Sequence, residues 1–438
     1  MSDHRRLGRA LSLFDTDPLI GAGLPYWLPD GATVRHALEE YVREAELRAG
    51  YRHVHSPVLG KRELYEISGH WAHYGEDMFP AMDLGGEQVV LRPSLCPHHA
   101  LIYRSRSRSH RDLPLRLAEL GGMYRSEPSG SLGGLSRVRA VHLNDAHLFC
   151  APEQVAGELD AALRMIRDAY RALGIEPARY RLSLPDSGPG SGAGPARKPG
   201  EKSARKPAHK PAGKPAGKYV AGAAMWRRSA ELLRGALGRA GLEYERAEGE
   251  AAFYGPKIDV QVADAAGRES TLSTVQVDFH QPERFGLSYV GADGARHRPV
   301  MVHRSVLGSL ERAVAQLLEH HGGALPAWLA PVQLAVLPVA EAHVPQAAEL
   351  VRDAAARGLR AELAGPERGS LGARVREARL VPYQAVIGAE ECARQSVSVR
   401  LRDGRRLAPL PTGEFLARVS AVVGARSGSG LWEGDAAA

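Results

Sequence analysis

Arg125-Ser-Glu-Pro-Ser-Gly-Ser-Leu-Gly-Gly-Leu-Ser-Arg137-Val-Arg139, running on to Asp145-Ala-His147, is the stretch whose reading decides the fold. Apolar-rich segments flank it, Leu115–Tyr124 before and residues 138–150 after. Two strand-like runs around a Ser/Gly/Pro turn predict an antiparallel hairpin with a mobile, cationic tip. Guanidiniums present planar donor forks to phosphate oxygens, and glycines let such a loop fold over a ligand. A solvated charged turn is the plainer alternative. Three arginines with Glu127 and a Pro-Ser-Gly-Ser turn favour a polyphosphate site.

Outward from the hairpin, the chain reads as helices and strands in mixed order. Apolar residues recur at helical spacing in 31–48, with Leu38, Tyr41, Val42 and Ala45 on one face, and again in Val155–Leu173 and 226–240. Strands are expected at 51–59, ending near Pro57, and at 253–262, 270–279 and 298–302, with a buried helix over 303–318. Leu325-Pro-Ala-Trp328-Leu-Ala-Pro331 marks a boundary. Beyond it, strands (332–337, 360–364, 385–388, 396–401) alternate with helices (345–357, 371–379), the pattern of a small α/β domain.

Composition narrows the class. A chain of 438 residues has room for two or three domains with ample core. It has no apolar run of membrane-spanning length and no secretory signal, so no membrane partner is expected. Three cysteines, Cys96, Cys150 and Cys392, are too few for a disulfide framework and point to a reducing cytoplasm. The net charge of +7 is local. Residues 187–218 carry eight Lys/Arg and only Glu201; removing them from 57 basic and 50 acidic residues leaves 49 of each. This Lys-Pro-Ala repeat cannot pack a core and reads as a disordered insertion, either brushing a polyanion such as RNA or merely soluble.

Cys96, His147 and His303 are candidate Zn²⁺ ligands, since one thiolate and two imidazoles leave an open coordination position. Their spacing alone does not single them out among 18 histidines.

Longer motifs do. Gly69-His70-Trp71, Cys96-Pro97, Arg111-Asp-Leu-Pro-Leu-Arg-Leu-Ala-Glu119, the Arg125 hairpin, Phe253-Tyr254-Gly-Pro-Lys257, Thr274-Val-Gln276 and His303-Arg-Ser-Val-Leu-Gly308-Ser309-Leu-Glu311-Arg312 occur in order. With Val381-Pro-Tyr383 and Val397-Ser-Val399-Arg400, the chain resembles the threonyl-tRNA synthetases, class II aminoacyl-tRNA synthetases, from about residue 21 to 425. The resemblance implies an α+β architecture: a polar lead over 1–20, an antiparallel-sheet catalytic domain over 21–325, an α/β anticodon-binding domain over 330–425, and a disordered tail over 426–438. The family's amino-terminal editing region has no counterpart in the first twenty residues.

The same resemblance assigns roles. Arg125 would bind the α-phosphate, Glu127 the adenine, Arg137 the outer phosphates and Arg312 the γ-phosphate, with Gln276 and Ser309 completing the site for ATP and its Mg²⁺. Cys96, His147 and His303 would hold Zn²⁺, which a β-hydroxy amino acid chelates; valine, lacking the hydroxyl, would be rejected. Asp145 would accept the threonine hydroxyl and Tyr254 would contact the amine. His70 and Lys257 would lie near the reacting groups, His70 beside the terminal ribose of tRNA. Glu391 and Arg400 would read the anticodon, and a homodimer would form through the segment containing Pro57. The implied activity is ATP-dependent threonine activation and transfer to tRNA.

Departures cluster in the amino-acid pocket. Leu143 stands where the family has a carboxylate-holding Gln, Thr271 replaces a pocket Gln, Leu272 a Cys, and Ser94-Leu95 a Met-Asn pair. Arg368 replaces an anticodon-facing Asn, and the helix after Arg376-Glu377-Ala378 is shortened. These changes leave open a paralogue that activates threonine or another β-hydroxy amino acid for a different acceptor, or that confers inhibitor resistance. A catalytically dead RNA-binding subunit is disfavoured, because the phosphate arginines and zinc ligands are all present.

Overall fold

Leu115–Tyr124 and Ala140–Cys150 pair antiparallel over ten residues, from Leu115 opposite Phe149 to Tyr124 opposite Ala140. A computed structural model describes residues 3–186, 218–264 and 266–428 of the chain. The hairpin lies within an eight-stranded sheet. In order across that sheet run Tyr244–Glu248, Arg179–Leu184, Lys257–Ala263, Glu269–Asp278, Val300–Ser305, Ala140–Cys150, Leu115–Tyr124 and Arg52–His53. The six inner strands are mutually antiparallel, and only the two edge strands pair in parallel.

Helices cover the sheet through apolar stripes. In Val155–Leu173 the buried residues Val155, Leu159, Ala162, Leu163, Ile166, Ala169, Tyr170 and Leu173 recur every three or four positions. The helix ends at Gly174, whose φ of 66° suits a residue without Cβ. Pro29–Arg48, Ala223–Arg239 and Leu310–His321 join the same core.

A second unit follows Trp328. Its five-stranded sheet runs Ala361–Leu363, Leu334–Pro338, Tyr383–Ile387, Ser396–Leu401, Leu410–Pro411, parallel over the first three strands and antiparallel over the rest. Val344–Ala356 and Thr412–Ala425 pack on it. No described helix is long and apolar enough to cross a membrane.

Several sequence expectations need correcting. Residues 303–305 are strand, not helix: Val300–Ser305 is fully buried and the helix begins only at Leu310. Gly308 at φ 60° breaks the chain between them, and a Cβ there would meet Leu272 O at 2.2 Å. The strand expected over 51–59 is broken into Arg52–His53 and, from Leu59, the separate strand Leu59–Lys61. The Ser56 N–H and O–H bond Glu119 instead of a neighbouring strand, and Pro57 has no N–H to offer.

The described part of the polar lead carries structure of its own. Helix His4–Ala10 contacts Leu310–His321, and Leu13 and Phe14 enter the main core. The hairpin tip is anchored at Leu135, which is fully buried, while Pro128, Ser129 and Gly130 are exposed. The insertion, apart from Lys218, and most of the tail lie outside the described residues. Residues 426–428 are described: Arg426 pairs with Glu44 at 2.8 Å and lies over the Tyr41 ring.

Candidate active site

Strand register brings the metal-ligand candidates together. His147 and His303 are direct cross-strand partners on Ala140–Cys150 and Val300–Ser305. Cys96 opens the helix Cys96–Arg104 beside them. One ligand atom from each of the three lies within 4.8 Å of the others, and all three residues are buried. The His147 Nε2 has no hydrogen-bond partner, an orphaned polar atom that a metal would satisfy. Burial pushes the Cys96 thiol well above its ordinary value and holds His147 neutral. A divalent cation seated there would supply the charge a thiolate needs. The residues fit zinc.

Behind His147 runs a chain of buried partners. Its Nδ1 lies 2.8 Å from His99 Nδ1, and His99 Nε2 lies 3.2 Å from Glu119 Oε2. Arg92 donates to Glu119 at 3.1 Å and Ser56 Oγ at 2.7 Å. Burial works to raise the Glu119 carboxyl, but His99, Ser56 and Arg92 outweigh it and hold it down at about 2. An ionised Glu119 accepts from His99 Nε2–H, so His99 Nδ1 accepts from His147 Nδ1–H. The His147 Nε2 lone pair then faces the ligand cluster. His303 is oriented likewise, with Nε2 2.8 Å from Asp278 Oδ2. The sequence reading missed His99 and Glu119 as orienting groups. For His99 the signal was the Cys-x-x-His spacing, which puts Cys96 and His99 on one helix face. Replacing His99 with leucine should weaken zinc binding about 10- to 100-fold. Competition with a chelator measures this, and an unchanged affinity would remove His99 from that role.

A cavity of about 380 Å³ opens beside this cluster. Arg125, Glu127, Arg137, Gln276, Ser309 and Arg312 line it, together with Leu143, Asp145, Tyr254, Lys257, Thr271 and His303. Arg125 is clamped at its backbone by Arg139 O at 2.9 Å. Its guanidinium lies over Tyr74 at 5.6 Å, and its buried Nε has no partner. Glu127 and Arg137 pair with each other at 2.8 Å, so a ligand contacting both would compete with that ion pair. Arg312 donates to Thr271 O at 2.9 Å and Ser136 O at 3.3 Å. The Ser309 hydroxyl accepts from Arg312 N–H and caps the helix Leu310–His321.

On the metal-facing part of the site, Tyr254 stacks on His303 at 4.8 Å and donates to Gln276 at 2.6 Å. Lys257 pairs with Asp259 at 2.7 Å, and Thr271 accepts from Gln261 at 2.8 Å. Burial raises the Asp145 carboxyl to about 6. Leu143 offers only an apolar side chain and bridges Ser309 through its backbone. His70 lies beside the ligand cluster, 3.7 Å from Cys96 Sγ, and burial keeps it neutral. Glu391 and Arg400 sit in the second unit. The Glu391 carboxylate accepts from Gly388 N–H and Ser398 O–H, and Arg368 pairs with Glu362 at 2.6 Å.

Guanidiniums thus line one cavity with His303, the member of the metal-ready cluster that reaches it, an arrangement able to hold a polyanion beside a metal ligand set. Residues 79–321 match the family described as tRNA synthetase class II core domain (G, H, P, S and T), and residues 333–421 match the anticodon binding domain. A threonine–tRNA ligase of Geobacillus kaustophilus (strain HTA426) is 46% identical over 419 residues, 95% of this chain and 60% of that protein. The chain therefore spans about 60% of the length of such curated relatives. The solved RNA binding domain of threonyl-tRNA synthetase from Cryptosporidium parvum Iowa II superposes with a TM-score of 0.84 at 32% identity, covering 96% of this chain and 98% of its own. Giardia lamblia prolyl-tRNA synthetase, solved with prolyl-adenylate, shares the fold at a TM-score of 0.70 and 16% identity, over 95% of this chain and 77% of its own.

Proposed function

We propose, since the chain belongs to the threonyl-tRNA synthetases of class II, that it activates threonine with ATP and transfers it to the terminal ribose of tRNA. One observation carries this reading: the cavity joining Arg125, Arg137 and Arg312 also reaches His303 and Asp145, beside Cys96 and His147. The threonine carboxylate attacks the α-phosphorus of magnesium-bound ATP and pyrophosphate leaves. Arg125 stabilises the charge that grows on the α-phosphate. Arg137 and Arg312 hold the outer phosphates, Glu127 takes the adenine, and Gln276 and Ser309 complete the nucleotide site. Cys96, His147 and His303 would hold zinc, which would supply a Lewis acid for the amino acid's amine and hydroxyl. Asp145 accepts that hydroxyl, Tyr254 orients the amine, Lys257 lies near the reacting groups, and neutral His70 attends the tRNA ribose.

Glu391 and Arg400 face the anticodon in this reading, and pairing of two copies uses the segment around Pro57. The exposed Val58, Leu59, Met82 and Leu84 support that pairing. The free cysteines suit a reducing cytoplasm.

Leu143 and Thr271 favour a second reading, in which a related β-hydroxy amino acid is activated for another acceptor. ATP–pyrophosphate exchange over all twenty amino acids, followed by tRNA charging, separates the two. The leading reading expects threonine to dominate, valine to be silent and tRNA to be threonylated. Exchange without threonylation would overturn the transfer half.

A further inference from the structure

We propose that His4 is a positioning residue for the nucleotide loop, tying the tip of the 125–139 hairpin to the helix that carries Arg312. The inference rests on the reading of that hairpin as the ATP site. The His4 imidazole is buried between two groups far away in sequence. Its Nδ1 lies 2.6 Å from Glu319 Oε1, and its Nε2 lies 3.2 Å from Leu135 N. A backbone N–H can only donate, so Nε2 is the acceptor. Nδ1 then carries the proton and donates to Glu319. The His4 backbone N–H adds a second bond to the same carboxylate oxygen at 3.1 Å.

The loop is shaped to receive the ring. Gly134 has φ 58°, and a Cβ built there would lie 2.4 Å from His4 Nε2. Only glycine lets the imidazole come this close to the backbone. Leu135 next to it is fully buried. Within the turn, Ser136 N–H bonds Gly133 O and Gly133 N–H bonds Arg137 O, so fixing Leu135 fixes the path into Arg137.

Glu319 lies two turns along the helix Leu310–His321 from Arg312, whose side chain reaches back to Ser136 O. The helix therefore grips the loop directly through Arg312 and indirectly through Glu319 and His4. These two grips fix the loop side chains Glu127 and Arg137 relative to Arg312 across the cavity. His4 touches no reacting group and acts through backbone position alone.

Two isosteres separate this role from simple docking of the first helix. In H4N the amide nitrogen replaces Nδ1 and keeps the Glu319 bond but loses Leu135. In H4Q the amide oxygen replaces Nε2 and keeps the Leu135 bond, while the backbone N–H of residue 4 keeps the tie to Glu319. ATP–pyrophosphate exchange should show KM for ATP rising about fivefold in H4N and H4A, as for loss of one hydrogen bond. KM for threonine should stay constant, and H4Q should restore most of the ATP affinity. Hydrogen exchange at the Leu135 amide should quicken in H4N and H4A but not in H4Q.

The opposite ranking, with H4Q impaired and H4N intact, would show that His4 only docks its helix and would overturn the proposal. Equal rises in both KM values would do the same. An unaltered protein with no exchange activity would sink the ATP reading instead, while the Leu135 amide would still report whether His4 holds the loop.

Discussion

Replacing Arg125 with alanine is expected to lower threonine-dependent pyrophosphate exchange by about 10²- to 10³-fold, the usual cost of removing one preorganised donor from developing charge. Arg125 is built for such a part. Its backbone is bonded to Arg139, its guanidinium rests over Tyr74, and its buried Nε is left without a partner. A donor held in place and unspent costs nothing to reorganise when charge develops beside it. Lysine at 125 should rescue poorly, because a single ammonium cannot present two parallel donors to a phosphate. Zinc content should be unchanged in both variants, since Arg125 is not among the metal-ligand residues. Exchange within a few-fold of the unaltered protein would take the α-phosphate away from Arg125.

Cys96 should produce the other large effect, by a different route. Cys96→Ala leaves two imidazoles where three ligands converge, so zinc affinity should drop more than about 100-fold, beyond the cost of losing an orienting partner. Activation should fall with it, because under the proposed function zinc at this cluster would serve the amino acid's amine and hydroxyl as a Lewis acid. Metal content by mass spectrometry and exchange rate on the same preparation give the test. A variant that keeps stoichiometric zinc would exclude Cys96 as a ligand. A variant that loses zinc but keeps full exchange would separate the metal from activation. The pair of experiments divides the cavity: Arg125 variants should lose rate with zinc retained, and Cys96 variants should lose both.

Much of the fold was legible from local patterns. Val155–Leu173, Leu115–Tyr124 and Ser396–Leu401 have the bounds their periodicity and flanking turns suggested. Failures arose where a neighbour distant in sequence decided the backbone. Residues 303–305 read as helix by composition, yet pairing with Ala140–Cys150 and with Glu269–Asp278 holds them as strand. Ser56 read as strand, yet the buried Arg92–Glu119 pair captures its polar groups. Leu135 read as part of a mobile tip, yet the first helix covers it, and no pattern near residue 135 announces His4.

The sequence by itself determined several long elements, among them Leu115–Tyr124, Val155–Leu173 and Ser396–Leu401, and the chemical types at the site, because periodicity, turn residues and ordered motifs are local. Only the tertiary structure decided that residues 96, 147 and 303 share one buried point, that His99 and Glu119 orient His147, and that His4 reaches Leu135. The reason is register. His303 lies opposite both His147 and Gln276, and a slip of one residue in either pairing would turn its side chain to the other face of the sheet. That choice is made by packing across the whole sheet, and no short window of the chain contains it.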